Sequence, residues 1–252
     1  MINIGLGGAL RTLTRFPLPY RVLEQEQRIL FWFPFVGFLY GLISIAVSLL
    51  PLSSPVLSVL IISVTAYFTR GFHLDGLCDF ADGLGGGWEK ERALAIMKDS
   101  HSGAFALITL FCTLLFQYAA LLQLVDIPLA LLWVPMLGRL EQVLAAAFLP
   151  YAREEGGTAS LLVRSAKIRH AILPLLQVLL VLLLFVVFQN QYAMCAFVAL
   201  AASMVMGIFL MVVSQRRLGG VTGDVLGAIE ILSESAAMLG FLLPLATQAL
   251  SR

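Results

Sequence analysis

The stretch AILPLLQVLLVLLLFVVF, residues 171–188, decides the fold of this chain. No acidic or basic side chain interrupts it, and its length is close to the roughly 20 residues with which a helix crosses the hydrocarbon core of a bilayer. The whole chain has the same character, because 60% of its 252 residues are hydrophobic, 12% are charged and the mean hydropathy is +0.95. The sequence therefore predicts an all-α, polytopic membrane protein in the form of a helical bundle.

Six other apolar stretches of similar length lie before and after this one. Nothing between them resembles a flexible linker, so we expect a single integral-membrane domain over residues 1–252. The seven predicted transmembrane helices are Leu30–Leu50, Val56–Phe72, Ala104–Leu124, Pro128–Leu149, Ala171–Phe188, Tyr192–Val213 and Ser235–Leu250.

The connections between these spans are of two kinds. Those on one side are short and almost uncharged, whereas those on the other side carry every Lys and Arg of the chain except Arg139 and Arg252. The positive-inside rule places the basic side in the cytoplasm, with the amino terminus inside and the carboxyl terminus outside. We therefore expect a multi-pass protein of the cell inner membrane, with cytoplasmic polar loops at about 73–103, 150–169 and 214–234.

The surroundings of the chain also follow from its charge. A formal net charge of +1, without a basic stripe interleaved with aromatic residues, argues against nucleic acid as a partner. The lipid bilayer is the expected environment.

The segment HLDGLCDFADGLGGG, residues 73–87, carries three acids at helical spacing. Asp75, Asp79 and Asp82 are four and three residues apart, so they share one helical face within about 60°. Three carboxylates beside a membrane repel one another unless a cation joins them, and Mg²⁺ typically takes one or two carboxylates together with substrate phosphates and water. The segment therefore predicts a magnesium site at these three acids; the alternative is a solvated acidic helix end. The sequence leaves open whether this helix continues the second span.

Two further polar groups point to a phosphorylated substrate. Arg92, Lys98 and Ser100 follow in the same predicted loop, where cations offset phosphate charge, although loop cations are often simply solvated. Near the other end, Thr222 and Asp224 lie in a glycine-rich turn before the last span.

Glu234, at the edge of the last predicted span, and Arg139, inside the fourth, are charged side chains in or next to the bilayer. Glu230 and Glu234 are four residues apart on one helical face, and an acid such as Glu234 in the bilayer needs a cavity, a metal or a basic partner. Arg139, midway along the fourth span, is the candidate partner. A structural ion pair and a clamp on substrate phosphate are both open for Arg139.

With these residues assembled, the chain resembles the cobalamin synthase family of membrane enzymes along nearly its whole length. The HLDG-to-ADG block and the TGD block are the most specific parts of the resemblance. His101 departs from the family, which more often shows arginine there, and this leaves a phosphate contact at position 101 in doubt. The residues that carry the resemblance include His73, Leu74, Asp75, Gly76, Asp79, Asp82, Gly83, Met97, Lys98, Asp99, Ser100, Tyr151, Arg153, Glu155, Gly219, Thr222, Gly223 and Asp224.

The resemblance implies a magnesium-dependent transfer. Adenosylcobinamide-GDP would react with α-ribazole, or its 5′-phosphate, to give adenosylcobalamin, or its 5′-phosphate, and GMP. Magnesium would be held by Asp75, Asp79 and Asp82, and the hydroxyl proton would pass to Asp82, Asp99 or Asp224, with His73 as a base or a supporting residue. The candidate substrate-binding residues are Arg92, Lys98, Ser100, Arg139, Arg153, Thr222 and Glu234.

Other functions remain possible at this level. A prenyltransferase also binds diphosphate through magnesium but normally needs two comparable aspartate motifs, and a CDP-alcohol phosphotransferase shares the arrangement of acids followed by a basic loop. A cation transporter would place acids near the middle of the bilayer, and a scaffold for other corrinoid enzymes would use the carboxylates structurally. Homo-oligomerisation and association with other corrinoid-pathway enzymes are left open.

Overall fold

The computed structural model of the chain describes residues 4–16 and 26–250. The amino terminus and Arg252, on which the predicted orientation partly rests, lie outside these residues. In this part of the chain the structure is helical, with short 3₁₀ turns at Glu26–Trp32 and Ile168–Ala171. The α-helices are α1 Ile4–Leu13, α2 Phe33–Ser48, α3 Ser54–Phe68, α4 Phe72–Gly86, α5 Lys90–Ile96, α6 Ala104–Leu124, α7 Pro128–Phe148, α8 Ser160–Ser165, α9 Ile172–Phe188, α10 Asn190–Leu218 and α11 Gly223–Leu250.

Within the described part of the chain, six helical segments are long and apolar enough to cross a membrane. A seventh crossing is obtained if α3 and α4 are counted together, and the predicted fold class is thereby confirmed. The six segments are Arg28–Ser48, Ala104–Leu124, Pro128–Phe148, Ile168–Phe188, Asn190–Leu218 and Gly223–Thr247.

The second predicted span, Val56–Phe72, is wrong at its end. Helix α3 stops at Phe68, and its 15 residues cover about 22 Å, less than the roughly 30 Å of a bilayer core. The chain then bends by 89° into α4, which is a separate helix. Arg70 and Gly71 make this bend with positive φ angles of 59° and 65°, and the Arg70 guanidinium holds the turn by donating to the Thr14 carbonyl at 2.8 Å.

The predicted polar loop at 214–234 is also wrong, because most of it is helical. Helix α10 continues to Leu218 and α11 begins at Gly223, so that only residues 219–222 connect them. Gly219, at a φ of 75°, ends α10 in the left-handed conformation that commonly follows a helix. Asp224, expected in a glycine-rich turn, therefore lies in the first turn of α11, and Glu230 and Glu234, expected on one helical face, lie further along the same helix.

Helix α7 occupies the centre of the bundle. Its apolar stretch is 83% buried. The apolar stretches of α6 and α9 are 28% and 22% buried, so these two helices lie at the periphery. Two glycines of α2 allow close packing on α7, because a Cβ at Gly37 or Gly41 would lie 2.5 Å from Pro135 O or Leu132 Cα. Small residues at such contacts are the usual means by which membrane helices approach each other. Arg139, in the middle of α7, is consequently inside the protein.

Candidate active site

The site is built where α4 crosses α11. A Cβ at Gly76 would lie 2.7 Å from the Asp224 carbonyl oxygen, and a Cβ at Gly227 would lie 3.1 Å from His73 Cα. Only glycine lets the two backbones come this close. Because Asp75 and Asp79 flank Gly76, the crossing brings them beside Asp224, and Asp224 and Asp75 are the carboxylates that act most strongly on Asp79.

Arg153 reaches the same place through a short backbone pairing. The Ala152 N–H donates to the Val221 carbonyl and the Val221 N–H donates to the Pro150 carbonyl, each at 2.9 Å. This pairing joins the segment after α7 to the turn before α11. Arg153 Nη2 then lies 2.9 Å from Asp224 Oδ2, and the Thr222 hydroxyl lies 3.2 Å from the same oxygen.

The carboxylate of Asp82 is engaged by backbone groups of another helix. Asp82 shares the helical face of the other two aspartates and lies three residues beyond Asp79 and seven beyond Asp75, about 4.5 and 10 Å along the axis at 1.5 Å per residue. There its carboxylate is buried and accepts the backbone N–H groups of Gly103 and Ala106 at 2.5 and 2.8 Å. Asp82 therefore caps the amino-terminal end of α6 from outside that helix, and its expected roles as a third metal ligand or proton acceptor stay predictions.

The remaining carboxylates fit a magnesium ion shared with a substrate. Among residues 4–16 and 26–250, no three or more His, Cys, Asp or Glu side chains are grouped so that they could hold a metal by themselves. Asp75 is exposed, Asp79 and Asp224 are half-buried, and all three offer only oxygen donors. Because Mg²⁺ usually keeps waters and takes phosphate oxygens beside one or two carboxylates, this donor set suits it without forming a closed cage.

An open cleft of about 730 Å³ lies beside Asp75, which is within the range of small-molecule sites. Arg11, Arg70 and Thr158 line it together with Asp75. Sequence reasoning missed these lining residues. They are distant in sequence, and Arg70 in the bend joins the end of α1 to the start of α4 by donating to the Arg11 and Thr14 carbonyls.

The segment between α4 and α6, which includes α5, makes contacts that do not involve the acids of the crossing. Lys98 Nζ lies 2.5 Å from Glu155 Oε2, and this hydrogen bond lowers the pKa of Glu155. The hydrogen bonds from His101 to the Asp99 carboxylate, at 2.7 Å from Nδ1, lower the pKa of Asp99. Arg92, Lys98, Asp99 and Ser100 are all exposed, and none is among the charges that act most strongly on Asp79 or Asp224.

A second group of charges is buried below the crossing. Arg139 is 1% exposed, and its Nη2 lies 3.2 Å from Glu230 Oε1. Its Nη1 donates to Gln142 Oε1 at 2.9 Å and lies 2.7 Å from His73 Nε2. The sequence proposed Glu234 as the partner, but Glu230 forms the ion pair and Glu234 packs on Gly138 of α7, where a Cβ would lie 2.6 Å from its Cγ. With both terminal nitrogens engaged by protein groups, Arg139 fits a structural ion pair better than a phosphate clamp.

Comparison with known proteins agrees with the resemblance seen in the sequence. The model of the cobalamin-5-phosphate synthase family matches residues 5–242. A protein of Chlorobium phaeovibrioides named adenosylcobinamide-GDP ribazoletransferase is 39% identical over 91% of this chain and 93% of its own length. Proteins of the same name from Chlorobium chlorochromatii and Syntrophobacter fumaroxidans are 40% and 41% identical, covering 93% and 92% of this chain and 94% and 96% of their own lengths.

No solved structure matches the chain. The family match spans the helices α4 and α11 that carry the acids, as well as the segment that carries Arg153. The chain belongs to the cobalamin-5-phosphate synthase family of enzymes.

Proposed function

We propose that this chain carries out the ribazoletransferase step of cobalamin synthesis with magnesium. The ribose 3′-hydroxyl of α-ribazole, or of its 5′-phosphate, attacks the cobinamide-side phosphorus of adenosylcobinamide-GDP. The new oxygen–phosphorus bond gives adenosylcobalamin, or its 5′-phosphate, and the broken diphosphate bond releases GMP. The observation that supports this reaction is the α4–α11 crossing, which gathers Asp75, Asp79 and Asp224 with Arg153 near an open cleft of about 730 Å³.

The acids of the crossing have different roles in this proposal. Asp75 and Asp79 would hold Mg²⁺, which when bound offsets the charge of the diphosphate and of the departing GMP. Asp224 is the proton acceptor for the attacking hydroxyl. Of the four residues considered for that role, Asp82 caps α6, Asp99 is held at the surface by His101, and His73 is bonded to Arg139.

Arg153 binds a substrate phosphate in the same proposal. Its Nη2 is fixed on Asp224 Oδ2, whereas its buried Nε has no hydrogen-bond partner among the described residues. A buried donor without a partner is costly, and an anionic oxygen of the diphosphate would satisfy it. Thr222 supports this arrangement by donating to Asp224.

The test is GMP release by the purified protein in lipid nanodiscs. Adenosylcobinamide-GDP and α-ribazole are supplied with Mg²⁺ or with EDTA, and GMP and the corrinoid product are quantified. We expect equal amounts of both products with Mg²⁺ and neither with EDTA. Failure to release GMP, or release that needs no divalent ion, would contradict the proposal.

The same preparation separates the alternatives. Pyrophosphate release from a prenyl diphosphate would indicate a prenyltransferase, and CMP release from a CDP-alcohol would indicate a phosphotransferase of that type. Cation flux into proteoliposomes without nucleotide chemistry would indicate a transporter. Full activity of an Asp79→Asn variant would indicate that the carboxylates are structural.

A further inference from the structure

The two helices that carry the acids are also connected through α7, next to their crossing. His73 precedes Asp75 by two residues on α4, and Glu230 follows Asp224 by six residues on α11. Arg139 of α7 lies between them, with Nη1 2.7 Å from His73 Nε2 and Nη2 3.2 Å from Glu230 Oε1. We call these three residues the tether.

Hydrogen-bond chemistry fixes the state of His73. A guanidinium can only donate, so the His73 Nε2 facing Arg139 must accept, and the single ring proton must be on Nδ1. Nδ1 lies 3.9 Å from Glu230 Oε2, beyond hydrogen-bond distance. The ring lone pair is therefore occupied by Arg139, and the side chain is only 2% exposed. A substrate hydroxyl would have to displace Arg139 to reach the one atom of His73 that could take its proton.

The guanidinium itself is held on both sides. The two hydrogens of Nη1 serve His73 and Gln142, and Gln142 Nε2 donates to the Leu226 carbonyl of α11 at 3.2 Å. Tyr40 of α2 lies under the guanidinium, with its ring centroid 5.6 Å away. Arg139 is thus a fixed point on the central helix from which bonds run to both α4 and α11.

Such bonds determine how far α4 is displaced along α11. Helix α4 is joined to α3 by an 89° bend, and its closest backbone approaches to α11 are at Gly76 and Gly227, which have no side chains to interlock. Inside a membrane, apolar packing gives little preference between neighbouring registers, whereas directional bonds do. A slip of one residue moves a helix by about 1.5 Å, and a misplacement of about 1 Å can cost about 100-fold in rate.

We propose that His73, Arg139 and Glu230 are positioning residues that set Asp75 and Asp79 against Asp224, and that His73 transfers no proton. The consequence for the reaction rests on the proposed function. The consequence for helix geometry does not, because the tether acts on α4 and α11 whether or not substrate is bound.

The test compares two replacements of His73. His73→Gln keeps an acceptor oxygen for Arg139, and His73→Leu fills similar space without one. Nitroxide labels are attached at Trp88→Cys, next to the end of α4, and Leu239→Cys, on an exposed face of α11, after Cys78, Cys112 and Cys195 are replaced by Ala. Both label positions are exposed, at 88% and 46%. Electron paramagnetic resonance then gives the distance distribution, and GMP release gives kcat and KM separately.

We expect His73→Gln to keep the parent distance distribution and a kcat within about tenfold of the parent, whereas His73→Leu broadens the distribution and lowers kcat about 10- to 100-fold with little change in KM. Loss of activity in His73→Gln with an unchanged distribution would overturn the proposal in favour of proton transfer by His73. Unchanged distance and kcat in His73→Leu would overturn it in favour of no positioning role. If the parent protein releases no GMP, the proposed function fails, and the distance distributions alone decide the tether.

Discussion

Two groups of charged side chains lie on the same pair of helices and differ in how they are compensated. At the α4–α11 crossing, Asp75, Asp79 and Asp224 gather around one arginine, Arg153, beside an open cleft. Below it, Arg139 and Glu230 pair at 3.2 Å and are almost completely buried. Excess negative charge beside the cleft indicates a site for a cation or for a ligand bound through a metal ion. A buried pair of opposite charges indicates a structural ion pair.

Residue type alone therefore does not distinguish a ligand site from a structural ion pair in this bundle. Both groups contain acids on α4 or α11 and an arginine from another segment, and exposure and the number of protein partners distinguish them. Substitutions should accordingly act on activity in one group, and on stability and helix position, and through these on activity, in the other.

The largest effect is expected for Asp79→Asn. Removing this charge removes a magnesium ligand, and we expect kcat to fall by about 1,000-fold, as for the loss of a group that acts on transition-state charge. The melting temperature in detergent should stay the same or rise, because like-charge repulsion from Asp75 and Asp224 is relieved. Glu91→Gln, an exposed acid on α5, is the matched control. A large fall in melting temperature would assign Asp79 to the structural group instead.

Glu230→Leu should have the largest effect on stability. It leaves the Arg139 charge buried without its carboxylate, which typically costs about 3–5 kcal/mol. SDS-induced unfolding measures this loss. The double variant Glu230→Leu with Arg139→Leu should recover part of it, since the buried Arg139 charge is then removed together with its partner. The pairing would be contradicted if the double variant lost more unfolding free energy than the two single variants lose together.

Asp82→Ala should give a smaller loss of stability. Two backbone N–H groups, the part-buried one of Gly103 and the buried one of Ala106, lose their acceptor, and this costs about 1–3 kcal/mol in unfolding free energy. Asp82→Asn keeps one acceptor oxygen and should lose less. If Asp82→Asn instead keeps the stability of the parent but abolishes GMP release, then Asp82 belongs with Asp75 and Asp79 as first predicted.

Comparison with the sequence shows why some of this could be predicted. Membrane helices are recognisable because composition and length alone decide them, and Ala104–Leu124 begins and ends as predicted. The gathering of acids on one face of α4 also follows from helical periodicity. Periodicity gives the direction of a side chain but not what covers it, so the α6 terminus that takes up Asp82 was not foreseeable.

Tertiary choices were beyond local patterns as well. Glu230 and Glu234 share a face, and nothing in their spacing selects Glu230 as the partner of Arg139. The partner is selected by the position along α11 at which α7 packs. The lining of the cleft by Arg11 depends on a bend made by a non-glycine residue, Arg70, at a φ of 59°. Arginine rarely adopts this conformation, so the sequence carries no signal for it.

The smallest effect is expected for Lys98→Ala, which tests whether an exposed cation outside both groups contributes to substrate binding. Lys98 is a cation near the site by sequence, but its side chain is 50% exposed and bonded to Glu155, which is 80% exposed. The lowered pKa of Glu155 means that the pair contributes above the ordinary glutamate pKa of 4.5 and is lost as pH falls through the lower folded value. Solvent screening keeps that contribution small. We therefore expect an unchanged melting temperature at pH 7 and a KM within about twofold of the parent, measured by GMP release at 50 and 300 mM salt. A KM raised tenfold or more, and restored by Lys98→Arg, would instead place Lys98 on the substrate phosphate, because only a bound anion would make the charge at this exposed position matter.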